Sequence, residues 1–362
     1  MTKAPTTHLP KQVRDRDIIH DIEGRVFVTL GYIQPQDRTI CFLKYVPDSE
    51  GDWHSGNTSY KRVFWGGVDS VIKGMSLVPS RYLIDDSHFH TELLELPRRD
   101  IARYFSPELR LREIIREGPV DELEAGAMQL AGIVHDTLDI SFDHLGVTGS
   151  ISWKAHNPER SDINMNVYGF KDAWRLQEGY SEIVEQNKNV HLGGISDNCL
   201  GSSKSANRLP KPVFNALQTL SSRRRELYLN GRGIGIMPVL LPTQTPIEYG
   251  SEHYVSLADT PVTISMEIEE SEYGIFMPAI YQVSSRPSQA TQGNVVKRVM
   301  VYDGVFRGLL QPGDRVDVTG VLQKVELDSR RHGREGEGFY QIMVGSKRGY
   351  GKEFICAPRL GD

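Results

Sequence analysis

Residues 146–169, "GVTGSISWKAHNPERSDINMNVYG", hold side chains whose types and spacing could handle a phosphate. Gly149 lets a ligand approach the backbone closely, and Ser150 adds a hydroxyl. Together with free N–H groups, that pairing can hold phosphate oxygens. Beyond the loop "ISWKAHNPER", Asp162, Asn164 and Asn166 alternate with Ile163, Met165 and Val167. On an extended strand this puts the three polar side chains on one face and turns the apolar ones to a core. A strand that shows polar groups on one face opposite apolar ones is suited to present a site at its edge, with Asp162 and Asn164 on that face. In the loop between, Lys154, His156 and Arg160 could steady a triphosphate. Trp153 and Trp174 could stack a base, although tryptophan beside a small core is commonly buried.

Elements that could position these groups surround them. In "VDELEAGAMQLAGIVHDTLD", Leu123, Ala127, Leu130, Val134 and Leu138 recur at helical spacing, with acids at the start where the helix dipole favours them. "HLGVTG" reads as a short strand into Gly149, and "SDINMNVYG" as the strand carrying Asp162. "FKDAWRLQEGYSEIVEQN" predicts a second amphipathic helix. "GGISDNCLGSSKSANRLPKP" reads as a loop. "PVFNALQTLSSRRRELYLNG" predicts a third helix, with a proline near its start and Gly231 after its end. "GIGIMPVLL" then reads as a buried strand. These segments make residues 111–245 a central unit of mixed sheet and helices.

The flanks differ in character. Residues 1–110 begin with a polar lead and continue with strand patterns in "RVFVTLGYI", "TICFLKYV" and "SYKRVFW". "LPRRDIARYF" and "PELRLREIIREG" read as helical. Residues 246–362 carry five strand-like runs with turns between them, the spacing of a small sandwich or an OB-like barrel. Gly320 interrupts the alternation in "DRVDVTGVLQKVEL", as glycine does at a bulge or barrel bend. The fold class expected is therefore α+β, with a β-rich N-terminal unit and a small β-barrel-like C-terminal unit about the centre.

The stretch "GS…SDIN" resembles the signature of the DNA polymerase beta-like nucleotidyltransferase superfamily: Gly-Ser, a loop, then Asp-apolar-Asp on a strand. The resemblance covers roughly residues 122–242. The wider arrangement looks like an uncharacterised archaeal group of predicted nucleotidyltransferases. What the resemblance implies is a mixed-sheet nucleotidyltransferase-like domain, an NTP held by Gly149 and Ser150, and Mg2+ or Mn2+ held by Asp162 with Asn164, which makes these two the catalytic residues. Asn164 stands where the family's second aspartate is expected, so the site loses a formal charge that two-metal phosphoryl transfer uses. The later strand "GIGIMPVLL" has no carboxylate for the family's third acid, and Glu267 and Glu269 are distant substitutes.

Other motifs carry weaker chemistry. "DDSHFHTE" puts His88 and His90 on one face of an extended segment near Asp85, Asp86 and Glu92, a pattern that binds zinc or forms a polar turn. "GRGIGI" lacks the order of a dinucleotide fingerprint and reads as a turn entering a strand. Arg223–Arg225 and Arg330, Arg331 and Arg334 form basic clusters that suit phosphates or solvent equally.

The whole chain bounds these readings. Its 362 residues call for two or three domains. Net charge is −5, with 39% apolar and 25% charged residues, so no broad nucleic-acid surface is advertised, while a local basic groove is allowed. Cys41, Cys199 and Cys356 are far apart and form neither a disulfide framework nor a CxxC site, which fits a reducing cytoplasm. The polar start "MTKAPTTHLPKQVRDRD" does not read as a signal peptide, and no run approaches the roughly 18 apolar residues needed to span a bilayer. Two functions follow. One is transfer of a nucleotidyl group from an NTP, with Mg2+ or Mn2+, to a hydroxyl on RNA, protein or a small molecule. The other is nucleotide or RNA binding on the same fold without that chemistry.

Overall fold

The computed structural model describes residues 8–193, 210–220, 223, 227–289, 291, 293–328 and 338–357. Helices and three sheets alternate through it, and none of its helices is long and apolar enough to cross a membrane.

The N-terminal sheet has eight strands: β1 (Ile18–Asp21), β2 (Val26–Thr29), β3 (Arg38–Pro47), β4 (Trp53–Ser55), β5 (Thr58–Arg62), β6 (Leu83–Asp86), β7 (Thr91–Pro97) and β8 (Ile101–Phe105). Their path is β4-β5-β3-β2-β1-β8, with β7 joining β3 and β6. The sheet is covered on both faces. Cys41 and Leu43 pack toward Met75, from helix α1 (Gly67–Met75), and toward Leu94 and Leu96, while Phe42 and Tyr45 pack the other way with Trp53, Tyr60 and Trp153. "LPRRDIARYF" is strand where a helix was expected. Ile101, Tyr104 and Phe105 have helical spacing, but Pro97 fixes its φ at −58°, a single turn follows at Arg98–Asp100, and β8 pairs along β1. The helix begins later, as α2 (Pro107–Glu117), capped by the Ser106 hydroxyl.

The central sheet has five strands in the order β11-β12-β13-β10-β9: β9 (Leu145–Thr148), β10 (Ile163–Tyr168), β11 (Val190–Leu192), β12 (Leu227–Leu229) and β13 (Arg232–Val239). β10 runs antiparallel to β9 and parallel to β13. Helices α3 (Glu122–Leu138) and α4 (Phe170–Gln186) close its apolar side, where Ile163, Met165 and Val167 meet Leu123, Leu130, Val134 and Leu176. Asp121 caps α3 through the Leu123 and Glu124 amides. The expected third helix is shorter than its sequence pattern. It ends as α5 (Lys211–Thr219), and "ELYLNG" turns into β12. Asn230 and Gly231, with φ of 51° and 78°, form the two-residue turn of the β12–β13 hairpin, the conformation that favours Asn-Gly.

The C-terminal sheet comprises β14 (Glu252–Ser256), β15 (Val262–Tyr273), β16 (Ala279–Ser285), β17 (Val296–Val301), β18 (Arg315–Leu327), β19 (Phe339–Val344) and β20 (Phe354–Cys356). Five of them close into a ring, β15-β16-β17-β19-β18 and back to β15, with β17 and β19 parallel. Gly320 is the corner. Residues up to Gly320 pair with β15, and from Val321 the strand pairs with β19. A Cβ at Gly320 would lie 2.4 Å from the Met343 carbonyl oxygen, so only glycine permits this closure.

Candidate functional site

The strand alternation predicted for β10 is present: Asp162 is exposed, Asn164 half-buried and Asn166 buried, opposite the three core residues. Asn166 is tied inward, donating to Tyr168 Oη at 3.0 Å, so the polar face at the surface is Asp162 and Asn164. Asn164 lies in a slot between two backbones. A Cβ on Gly149 would stand 3.3 Å from its Nδ2, and one on Gly235 would stand 2.7 Å from its Oδ1. Gly149 also has φ +69°, a conformation that side chains resist. Across the parallel pair, Asn164 faces Gly235 and Asn166 faces Met237, so β13 offers this face no carboxylate.

The loop between Gly149 and Asp162 is anchored to the N-terminal unit and to the helices. The buried Ser150 hydroxyl donates to Ser161 Oγ at 3.0 Å, which also receives the Asn157 amide at 2.9 Å and Trp53 Nε1 at 3.4 Å. Lys154 Nζ meets Glu113 Oε1 at 2.6 Å, and Arg160 pairs with Asp52. His156 Nε2 lies 2.6 Å from Asp121 Oδ2. Trp153 is 1% exposed and packs its rings at 5.0, 5.5 and 4.9 Å from His20, Tyr45 and Tyr60. Of the predicted group, Gly149, Asp162 and Asn164 therefore come together. Ser150, Lys154 and Arg160 have their side chains engaged elsewhere.

The N-terminal sheet supplies side chains that the motif does not contain. Lys44 on β3 is partly buried, and desolvation, then Arg62, then Arg16 push its pKa down to about 7, with Asp162 the opposing attraction. Arg62 stacks its guanidinium 4.7 Å over the exposed Trp65 ring. Arg16 is fixed against the motif by its carbonyl, which accepts the Thr148 hydroxyl at 3.0 Å just before Gly149. Its φ of 68° is unusual for arginine. On the central sheet, Arg232 donates to the Ser161 carbonyl at 3.0 Å beside Asp162. Among the described residues Asp162 has no hydrogen bond or ion pair of its own. The Asp162 carboxylate thus faces the Lys44 ammonium, which in turn lies near Arg62 and Arg16, while Arg232 is anchored to the neighbouring Ser161 carbonyl. A lysine in the apolar run "TICFLKYV" was the signal for this contribution, since lysine is seldom buried without a task.

The remaining motifs lie apart. His88 is buried in the β6–β7 turn rather than on an extended surface, with Phe89 and Tyr254 rings 4.7 and 4.6 Å away. Its Nδ1 accepts the Gly250 amide at 3.2 Å, and burial lowers its pKa to about 4. His90 sits on the turn with φ 49°. No group of three or more His, Cys, Asp or Glu side chains among the described residues could hold a metal ion by itself. Trp174 donates to the Glu272 carbonyl at 2.9 Å, and Glu267, on the outer face of β15, pairs with Arg315 at 3.3 Å. Arg223 bridges to Asp314. Arg224, Arg225, Arg330, Arg331, Arg334 and Cys199 lie outside the described residues.

No protein-family model matches the chain, and no solved structure matches it. The chain is 26% identical over 359 residues to the uncharacterized protein MJ1086 of Methanocaldococcus jannaschii, a likeness that covers 96% of this chain and 100% of that protein. It is therefore similar, through all three sheets, to an archaeal protein whose name carries no activity.

Proposed function

We propose that this protein binds a nucleoside triphosphate on the polar face of β10, in a central unit resembling the nucleotidyltransferase fold. The observation that carries the reading is the Asp162 carboxylate facing Lys44, a lysine itself close to Arg62 and Arg16, with Arg232 held at the neighbouring Ser161 carbonyl and the Gly149 turn beside Asn164. In this reading the cations take the phosphate oxygens. Asp162 holds the Mg2+ that the triphosphate brings, with the Asn164 carbonyl as a neutral second oxygen. The role of Gly149 and Ser150 is then backbone approach, since the Ser150 hydroxyl is committed to Ser161. The Trp65 ring, exposed beside Arg62, offers a face on which a base can stack. With a single carboxylate and no acid on β13, binding is better supported than two-metal catalysis. Titration with ATP in Mg2+, against Asp162→Ala and Lys44→Met, tests it. Unchanged affinity in both variants would refute it.

A second reading is nucleotidyl transfer to an acceptor. Lys44 favours it, because a lysine that gives up its proton near neutrality beside Asp162 is suited to receive one from an acceptor hydroxyl. The C-terminal ring, whose strand order and parallel pair are OB-like, favours RNA as that acceptor. Incubation with each labelled NTP, Mg2+ or Mn2+, and cell RNA and protein tests it. Transfer that survives Asp162→Ala unchanged would sink it.

A further inference from the structure

A cavity of about 340 Å3 lies where the N-terminal sheet, α1, β13 and the C-terminal ring meet. That is within the size that accepts a small organic molecule, roughly 300–1000 Å3. Phe42 and Phe64 line it from the N-terminal unit and Val68 and Val71 from α1. Met237 and Met343 complete the wall with thioether chains that adapt to an irregular guest.

Two half-buried guanidinium groups line this apolar space and share the attraction of one buried carboxylate, Asp15. Arg16 Nε lies 3.5 Å from Asp15 Oδ2 and makes no hydrogen bond. Arg307 donates through Nη2 to Met237 Sδ at 2.9 Å, while its Nη1 is buried with no partner. Burial and the charge of Arg16 lower the Arg307 pKa to about 10. The acids of the lining are committed: Glu92 pairs with Lys347 at 2.7 Å, and the Asp303 carboxylate accepts the Val305 amide at 3.2 Å. Two cations against one carboxylate leave a positive excess, and with the unpartnered Arg307 Nη1 beside apolar walls they suit a guest that is apolar over most of its surface and negative at one end.

We propose that this cavity is a second binding site, for a small, largely apolar organic anion whose charged group sits against Arg307. It goes beyond the nucleotide reading, and its key side chains, Arg307 and Val71, take no part in that reading.

The test is calorimetric titration of the full chain with 2-naphthalenesulfonate and with its uncharged counterpart 2-naphthol, each with and without ATP. Saturable binding of the sulfonate at one site, at least about tenfold tighter than the naphthol, is expected from a charge-assisted contact. Arg307→Gln should erase that preference and leave naphthol binding unchanged. Val71→Trp, which fills the cavity from α1, should prevent both from binding. Near-UV circular dichroism checks that each variant is folded, and Val68→Trp replaces Val71→Trp where it is not. ATP affinity should be the same in all these variants, so that failure here leaves the nucleotide reading standing. Equal binding of the two compounds, no saturable binding, sulfonate binding that survives both cavity-filling variants, or displacement by ATP would overturn the proposal.

Discussion

Lys44 and Asp162 come from different sheets, yet the Asp162 carboxylate is the attraction that opposes Arg62 and Arg16 in holding the proton on Lys44. The lysine belongs to a strand of the N-terminal unit, and the aspartate stands immediately before the central β10. A site made this way exists only while the two units are docked. The docking is specific: Trp153 sits in the N-terminal core, and Ser55 Oγ donates to its carbonyl at 3.2 Å.

Lys44→Met should weaken ATP binding about ten- to a hundredfold, the loss of one charge-assisted phosphate contact. Isothermal titration checks this.

The pH dependence of binding has a defined sign. Lys44 loses its proton near pH 7 in the free protein, so affinity should fall as pH rises through that point. Lys44→Arg, which stays charged, should flatten the decline. Stability should move the opposite way. The folded lysine binds its proton less tightly than the unfolded one, so the unfolded chain holds more protons above pH 7, and stability rises with pH until the ordinary lysine range is reached. Denaturant midpoints measured across pH for wild type and Lys44→Met read this difference directly.

Asn164→Asp restores a carboxylate beside Asp162 in the slot between Gly149 and Gly235. Mn2+ affinity, read by paramagnetic relaxation of water protons in the presence of ATP, should rise by about tenfold or more, as expected for an added hard anionic ligand.

Gly235→Ala brings a methyl within 2.7 Å of Asn164 Oδ1, an atom at the end of a side chain that can swing away. The fold should survive with a loss of about 1 kcal/mol, while ATP affinity drops because Asn164 is displaced. Gly149→Ala, at φ +69°, should cost more in stability, about 1–2 kcal/mol. Thermal melts and ATP titrations on the two variants separate these effects.

Trp153→Ala should destabilise the protein by about 3–5 kcal/mol, the cost of truncating a buried aromatic. The ring is enclosed by His20, Tyr45 and Tyr60, so its loss should appear as a lower denaturant midpoint rather than as a selective loss of one base.

Much of this organisation was legible in the sequence. Ile163, Met165 and Val167 announced β10 because a two-residue period separates a core face from a polar one. Leu123 through Leu138 announced α3 because the helical period is strong over seventeen residues. Gly320 announced the corner of the C-terminal ring. The misreadings share a cause. Ile101, Tyr104 and Phe105 fit a helical face, and pairing with β1, a partner eighty residues away, decided otherwise. Asn230-Gly231 was a hairpin signal at the end of an apparent helix. The lysine within "TICFLKYV" marks an unusual position, but nothing local tells which face of a distant strand will meet Asp162, so Lys44, Arg62 and Arg16 do not read as one site. The engagement of Lys154 with Glu113 and of Arg160 with Asp52 was hidden for the same reason.

The most direct test of the central claim is ATP binding by calorimetry, in Mg2+ and in EDTA, for wild type, Lys44→Met and Asp162→Ala. Wild type should bind saturably, and more weakly when Mg2+ is removed. Lys44→Met should weaken binding in both conditions, and Asp162→Ala should remove the advantage of Mg2+. Absence of binding by wild type, or equal affinity across the three proteins, would contradict it.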